Sequence, residues 1–390
     1  MGFVELAVIG AVGLLGPLLA LPRAWHLPVV LGELLGGIVL GPTGFGYLDA
    51  REPTLNFLAD MGFALVMFVA GTHVPVRDPR LRDALGRGLV RAILVGVAAV
   101  AAGLALDRVF DIPHWSLYAV LMASSSAALV LPVIDELHLS GPRIIELLPQ
   151  VAVADAVCIV ALPLAIEPDR AGHAALGALA VIGAAAVVFA VLWWLEREGV
   201  RKRVHDVSEE RLFATELRVQ LVILSAMAAL AVATGISIML AGFAFGIAVN
   251  AVGEPRRLAK QLFALTEGVF SPLFFVWLGA SLQLRSFADH PEMLGLGVLL
   301  GAGAIVTHLV PKLLGQPAPL GLMAAAQLGV PSAAVTVGTE QGLLRPGEGS
   351  ALMLGALVTV GVAVLGGAWS AREERAGRLT GRLEGPTSAA

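Results

Sequence analysis

Leu147-Leu-Pro-Gln-Val-Ala-Val-Ala-Asp-Ala-Val-Cys-Ile-Val-Ala-Leu162 carries one carboxylate, Asp155, in the middle of an apolar segment running roughly from Ile144 to Ile166. About 23 residues, at about 1.5 Å of rise each, reach across a bilayer core of roughly 30 Å. A lone carboxylate at mid-membrane costs about 2.5–3.5 kcal/mol on the insertion scale. That cost points to a group lining a polar cavity or binding something. The plainer alternative is a protonated acid bonded to a neighbouring hydroxyl or carbonyl. It would suit an isolated polar residue, and other polar features lie at the same depth.

The composition agrees with a membrane setting. Mean hydropathy is +0.84, 57% of residues are hydrophobic and 14% are charged, which excludes an ordinary soluble domain. The apolar runs, each about 18–25 residues long, are those of a polytopic all-α membrane protein. The strands of an outer-membrane barrel would alternate polar and apolar residues, and these runs do not. Cys158 is the single cysteine, so no intrachain disulfide forms, and it reads as a small core hydrophobe. The first segment lacks a basic leader and a small-residue cleavage site, and is read as a span. The net charge of −4 does not identify a partner. No nucleic-acid partner and no cofactor are expected; membrane lipids are.

About thirteen spans are expected, near 3–20, 27–47, 54–75, 86–106, 114–137, 144–166, 173–195, 212–234, 236–252, 268–284, 293–315, 320–341 and 348–370. Residues 1–370 then form a single membrane domain, and 371–390 a short tail that turns polar and arginine-bearing. On alternate loops, Lys and Arg divide 19 to 5, with Arg218 and Lys312 left inside spans. By the positive-inside rule the N-terminus is outside and the C-terminus cytoplasmic.

Two spans look interrupted. The fifth carries Ser124-Ser125-Ser126 and then Pro132; the twelfth carries Gln327-Leu-Gly-Val-Pro331-Ser332. Proline removes a backbone donor and small polar residues substitute for it, so unwinding is tolerated where it lines a cavity. The two spans are seven apart in this count, so they enter from opposite sides, as in an inverted repeat of spans four to six onto eleven to thirteen. Paired interrupted helices in inverted halves point to a transporter binding site. Small-residue packing faces are the simpler alternative.

Lys312 reads as a second buried charge, late in Ile305-Val-Thr-His-Leu-Val-Pro-Lys-Leu-Leu-Gly315, with snorkelling to the headgroups as its rival. His308, four residues earlier on the same face, reads as a satisfied core histidine ahead of a proton relay. No metal-ligand spacing, phosphate loop or Ser-His-Asp arrangement stands out. Arg218, with Glu216 and Glu209 nearby, reads as interfacial. Glu33 opens the glycine-rich stretch Leu31-Gly-Glu-Leu-Leu-Gly-Gly-Ile-Val-Leu-Gly-Pro-Thr-Gly-Phe-Gly46, in which Gly-Pro-Thr-Gly breaks the helix.

Gly32-Glu33 through Gly41-Pro42 resembles the Gly-Glu-x-x-x-Gly-x-x-x-Gly-Pro signature of the monovalent cation:proton antiporters, the Kef-like and Nap-like sodium/hydrogen exchangers. Further stretches are similar in the same order: Phe57–Gly71, Ser124–Leu137 and Ser271–Gly279. The resemblance implies the sodium/hydrogen antiporter-like fold and a homodimer with a dimer domain and a core domain moving against it. It also implies Asp155 as the ion- and proton-binding carboxylate, Ser125 and Ser126 as its hydroxyl pair at a helix crossover, and Lys312 as a supporting charge. Glu33, His308 and Gln150 are secondary candidates. Three departures stand out: Ala154 where relatives carry Asp, Asn or Gln; Pro331-Ser332-Ala333 where Arg and Glu are frequent; and His73 where an acid is common. Ala154 favours one-for-one exchange.

The expected function is a secondary antiporter of the inner membrane that exchanges Na⁺ or K⁺ for H⁺ by alternating access. Asp155 holds a proton or a dehydrated cation but not both, so competition at one site couples the fluxes. A gated cation channel or ion-binding sensor on the same fold is the alternative. An intramembrane enzyme would need a second catalytic group facing Asp155.

Overall fold

Apolar helices account for most of the described residues, and no strand occurs among them. The computed structural model describes residues 1–21, 29–72, 79–166, 171–199, 213–236, 238–253, 256–282 and 284–375. His73 and the loop cations Arg23, Arg77, Arg201, Lys202, Arg203 and Arg211 lie outside them.

In chain order the helices begin with α1 (Phe3–Gly13), α2 (Leu15–Ala20), α3 (Val29–Leu40), α4 (Pro53–Thr72) and α5 (Pro79–Phe110). Next come α6 (Trp115–Ala123), α7 (Ala127–Glu136), α8 (Pro142–Ile166), α9 (Ala171–Arg197), α10 (Thr215–Ala233) and α11 (Ile238–Val252). The chain continues through α12 (Arg256–Leu265), a π turn at Thr266–Phe270, α13 (Ser271–Ser281), α14 (Ser286–Asp289) and α15 (Pro291–Leu309). A 3₁₀ turn at Val310–Leu314 leads to α16 (Ala318–Ala324), α17 (Gly329–Glu340) and α18 (Glu348–Arg375). Among the described residues nine helical segments are long and apolar enough to cross a membrane, and Phe3–Leu19, Val29–Leu40 and Ile238–Val252 are shorter apolar ones.

Both interrupted spans are interrupted. The fifth is α6 and α7, parted at Ser124-Ser125-Ser126, with Pro132 inside α7 and not in the break. The twelfth is α16 and α17, parted at Ala325–Leu328. The interrupted stretch read from the sequence, Gln327–Ser332, overlaps this break at Gln327 and Leu328, while Pro331 occupies the first turn of α17. First-turn N–H groups have no helical acceptor, so a proline there removes nothing the helix needs. The π turn precedes Pro272, whose missing N–H perturbs the helical ladder at that point.

The chain divides into two compact units. One comprises Met1–Arg77, Ile159–Gly295 and Pro331–Met353. In it α3 packs on α13 so closely that a Cβ at Gly37 would meet the Val276 carbonyl, and one at Gly279 the Leu34 carbonyl. The glycine signature thus serves backbone-to-backbone contact. The Gly-Pro-Thr-Gly turn after α3 is held by Thr43, whose hydroxyl donates to the Leu282 carbonyl (2.6 Å) and accepts from the Leu284 N–H (3.0 Å).

The other unit comprises Asp78–Cys158, Leu296–Val330 and Leu354–Ala390. Arg91 on α5 donates to Glu146 on α8 at 2.7 Å, and Arg87 pairs with the same carboxylate at 3.1 Å. Two of the cations counted as loop charge therefore sit on a helix and share one carboxylate of α8. α18 extends to Arg375, past the expected boundary at 370.

Candidate functional site

α8 meets the start of α7 at Asp155. Asp155 is buried, 6% exposed, and its Oδ2 accepts the Ala127 backbone N–H at 3.0 Å. Ala127 is the first residue of α7. Its N–H is one of the four that a helix leaves without an internal acceptor. The carboxylate therefore faces the partial positive charge of a helix N-terminus.

The serines that part α6 from α7 have different tasks. Ser124 donates to the Leu121 carbonyl at 2.8 Å, closing the end of α6. Ser126 turns its carbonyl into α7, where the N–H groups of Leu129 (3.1 Å) and Val130 (3.0 Å) donate to it. Ser125 donates to the Ala324 carbonyl and stands 3.3 Å from His308 Nε2. All three are buried. Ala324 is the last residue of α16, so Ser125 joins the first break to the edge of the second.

α15 holds the two breaks in register. Thr307 lies 3.0 Å from the Met122 carbonyl at the end of α6 and 2.9 Å from the Ala304 carbonyl, and its one hydroxyl proton serves either. A Cβ at Gly321 would lie 2.6 Å from the His308 carbonyl, so only glycine lets α16 seat against α15 here. At the second break the Gln327 N–H donates to Thr359 on α18 at 3.2 Å, while the buried Gln327 Nε2 has no partner among the described residues.

The other candidates fall elsewhere. Lys312 is exposed, in the 3₁₀ turn after α15, so it is not the buried charge that the sequence led one to expect. A proline at 311 and a left-handed Gly315 wind this end out of the α-helix and carry the side chain outward. Gln150 is buried, but its Oε1 accepts from Gln316 Nε2 at 2.9 Å, directing the amide to the loop before α16. Glu33 is 2% exposed, its Oε2 has no hydrogen bond among the described residues, and it belongs to the other unit. Arg218 is exposed near the start of α10. No group of three or more metal-ligating side chains occurs among the described residues. Thr307, Gly321 and the Ala324 carbonyl were missed from the sequence. Only the Thr307-His308 pair late in an apolar span carried a signal.

A carboxylate received by the N-terminus of an interrupted apolar helix is the kind of arrangement from which transporter binding sites are built. The profile described as "Sodium/hydrogen exchanger, transmembrane" matches residues 10–372. The chain belongs to that family, within the monovalent cation:proton antiporters, and is a transporter and not an enzyme.

Among curated relatives, "Probable Na(+)/H(+) antiporter 3" of Methanocaldococcus jannaschii is 26% identical over 83% of this chain and 85% of its own length. "Na(+)/H(+)-K(+) antiporter GerN" of Bacillus cereus is 25% identical over 67% of each chain. KefC of Salmonella heidelberg, a "Glutathione-regulated potassium-efflux system protein", is 27% identical over 83% of this chain, which spans only 54% of KefC. The sodium proton antiporter MjNhaP1 of Methanocaldococcus jannaschii superposes with a TM-score of 0.63 over 94% of this chain and 96% of its own, at 18% identity. That likeness establishes the fold alone.

Proposed function

We propose that this chain exchanges Na⁺ or K⁺ for H⁺ by alternating access, with Asp155 as the shared site. One observation carries the reading: a single buried carboxylate on α8, received by the N-terminus of α7 immediately after the Ser124–Ser126 break. A proton and a dehydrated monovalent cation compete for that carboxylate. Ser125, Ser126 and the unwound carbonyls replace part of the cation's water shell. Relatives named for Na⁺ and for K⁺ support the monovalent cation class, and they leave both ions as candidates.

The same reading gives thirteen crossings of the inner membrane, with the N-terminus outside and the C-terminus cytoplasmic. The family resemblance further implies a homodimer in which a core domain moves against a dimer domain. With Ala154 beside it, Asp155 exchanges one proton for one cation.

Everted vesicles or proteoliposomes containing a fluorescent pH dye test this, with Na⁺, K⁺ and Li⁺ added in turn. Saturable, cation-dependent collapse of an imposed proton gradient is the expected result. Cation conduction that neither saturates nor depends on the proton gradient would establish a channel on this fold.

A further inference from the structure

His308 is 1% exposed, and the exchange just described does not use it. Its Nδ1 lies 2.9 Å from the Ala304 carbonyl one turn back in α15. A carbonyl can only accept, so Nδ1 carries the hydrogen, and Nε2 of the neutral ring is left as an acceptor. The atom facing it, at 3.3 Å, is Ser125 Oγ. Ser125 has one hydroxyl proton and two acceptors for it, the Ala324 carbonyl and His308 Nε2. As the chain stands, the proton goes to Ala324.

We infer that His308 is a positioning residue for cation binding: it accepts the Ser125 hydroxyl proton and so releases the Ala324 carbonyl as a cation ligand. The movement is a rotation about the Ser125 Cβ–Oγ bond. The O–H swings from Ala324 O to Nε2, no proton leaves the protein, and both oxygens are then left with free lone pairs. Without an acceptor at 308 the hydroxyl proton has only Ala324 to bond. A cation would then have to break that bond and leave the O–H unsatisfied in an apolar interior. Three features hold the geometry in place. The Nδ1–Ala304 bond fixes the ring, the Gly321 contact fixes α16 against His308, and Thr307 beside it anchors the end of α6. The inference rests on the reading of Ser125 as a cation ligand.

The test is the half-saturating Na⁺ and K⁺ concentration in proteoliposomes at alkaline pH, where proton competition is weakest. His308→Leu and His308→Phe, which lack an acceptor, are expected to raise it about tenfold while the maximal rate stays within about twofold. His308→Gln, whose amide oxygen accepts the proton, is expected to restore it to within about threefold. Ser125→Ala is expected to raise it similarly, and adding His308→Leu to Ser125→Ala is expected to cost nothing further. If Ser125→Ala raises the half-saturating concentration and neither His308→Leu nor His308→Phe does, the inference is overturned. Additive losses in the double variant overturn it as well. If Ser125→Ala has no effect, the reading of Ser125 as a ligand fails first. A general packing role for His308 would lower thermal stability and maximal rate together and would not be rescued by glutamine.

Discussion

Asp155 Oδ2 accepts the backbone N–H of Ala127 at 3.0 Å, so the mid-membrane carboxylate of α8 caps the second half of a helix broken by three serines. An acid in an apolar span is here met by the start of a helix. The carboxylate is neither paired with a cationic side chain by any described bond nor turned to an aqueous surface. It is addressed by a backbone dipole that still leaves Oδ1 available.

Asp155→Asn keeps the shape and removes the charge. It is expected to abolish cation-dependent proton movement while protein yield and thermal stability stay near wild type. Dye-based exchange assays on purified, reconstituted protein decide this, and residual exchange above about a tenth would place the transported proton on another group.

The proposed competition of proton and cation for one carboxylate dictates a pH dependence. As pH falls, more Asp155 is protonated before the cation arrives, so the half-saturating cation concentration rises. Where the protonated form dominates, the rise approaches about tenfold per pH unit, while the maximal rate changes far less. A half-saturating concentration that stays constant across a pH series would mean that the two ions do not share the site.

Lys312 was expected to be buried and to support Asp155, yet the structure exposes it at the 3₁₀ end of α15. Lys312→Gln is therefore expected to leave the pH profile of exchange in place. A displaced profile would show that the ammonium reaches the site during the transport cycle.

Gly321 offers a test of the scaffold apart from the ions. Gly321→Ala would put a methyl group 2.6 Å from the His308 carbonyl, and backbone on both sides has little room to yield. A loss of about 1–3 kcal/mol is expected, read as a lowered melting temperature in detergent. An unchanged melting temperature would show that α16 can slide on α15.

One carboxylate and an alanine at 154 imply electroneutral exchange. A moved elementary charge would couple to the potential by about 2.3 kcal/mol per 100 mV. Solid-supported-membrane recordings are expected to show no sustained transport current under a cation gradient. A sustained current that disappears in Asp155→Asn would establish net charge movement.

The sequence by itself determined the all-helical membrane class, the lone acid in its apolar segment and the two broken helices. These are properties of short stretches of chain. Hydropathy is summed over neighbours, and helix breaking depends on which backbone donors a residue supplies or removes. It also singled out the glycines of the Gly32–Pro42 signature, though not the carbonyls of α13 that they approach.

Only the tertiary structure decided which groups meet. Asp155 and Ala127 are 28 residues apart, Ser125 and His308 are 183, and Ser125 and Ala324 are 199. Those pairings depend on the rotation and depth of whole helices, set by contacts such as Gly321 on His308. The outward turn of Lys312 and the diversion of Gln150 to Gln316 follow from the same placements. A pattern of apolar residues says that a helix is buried; which polar side chain on it faces a partner is decided by the neighbours it packs against.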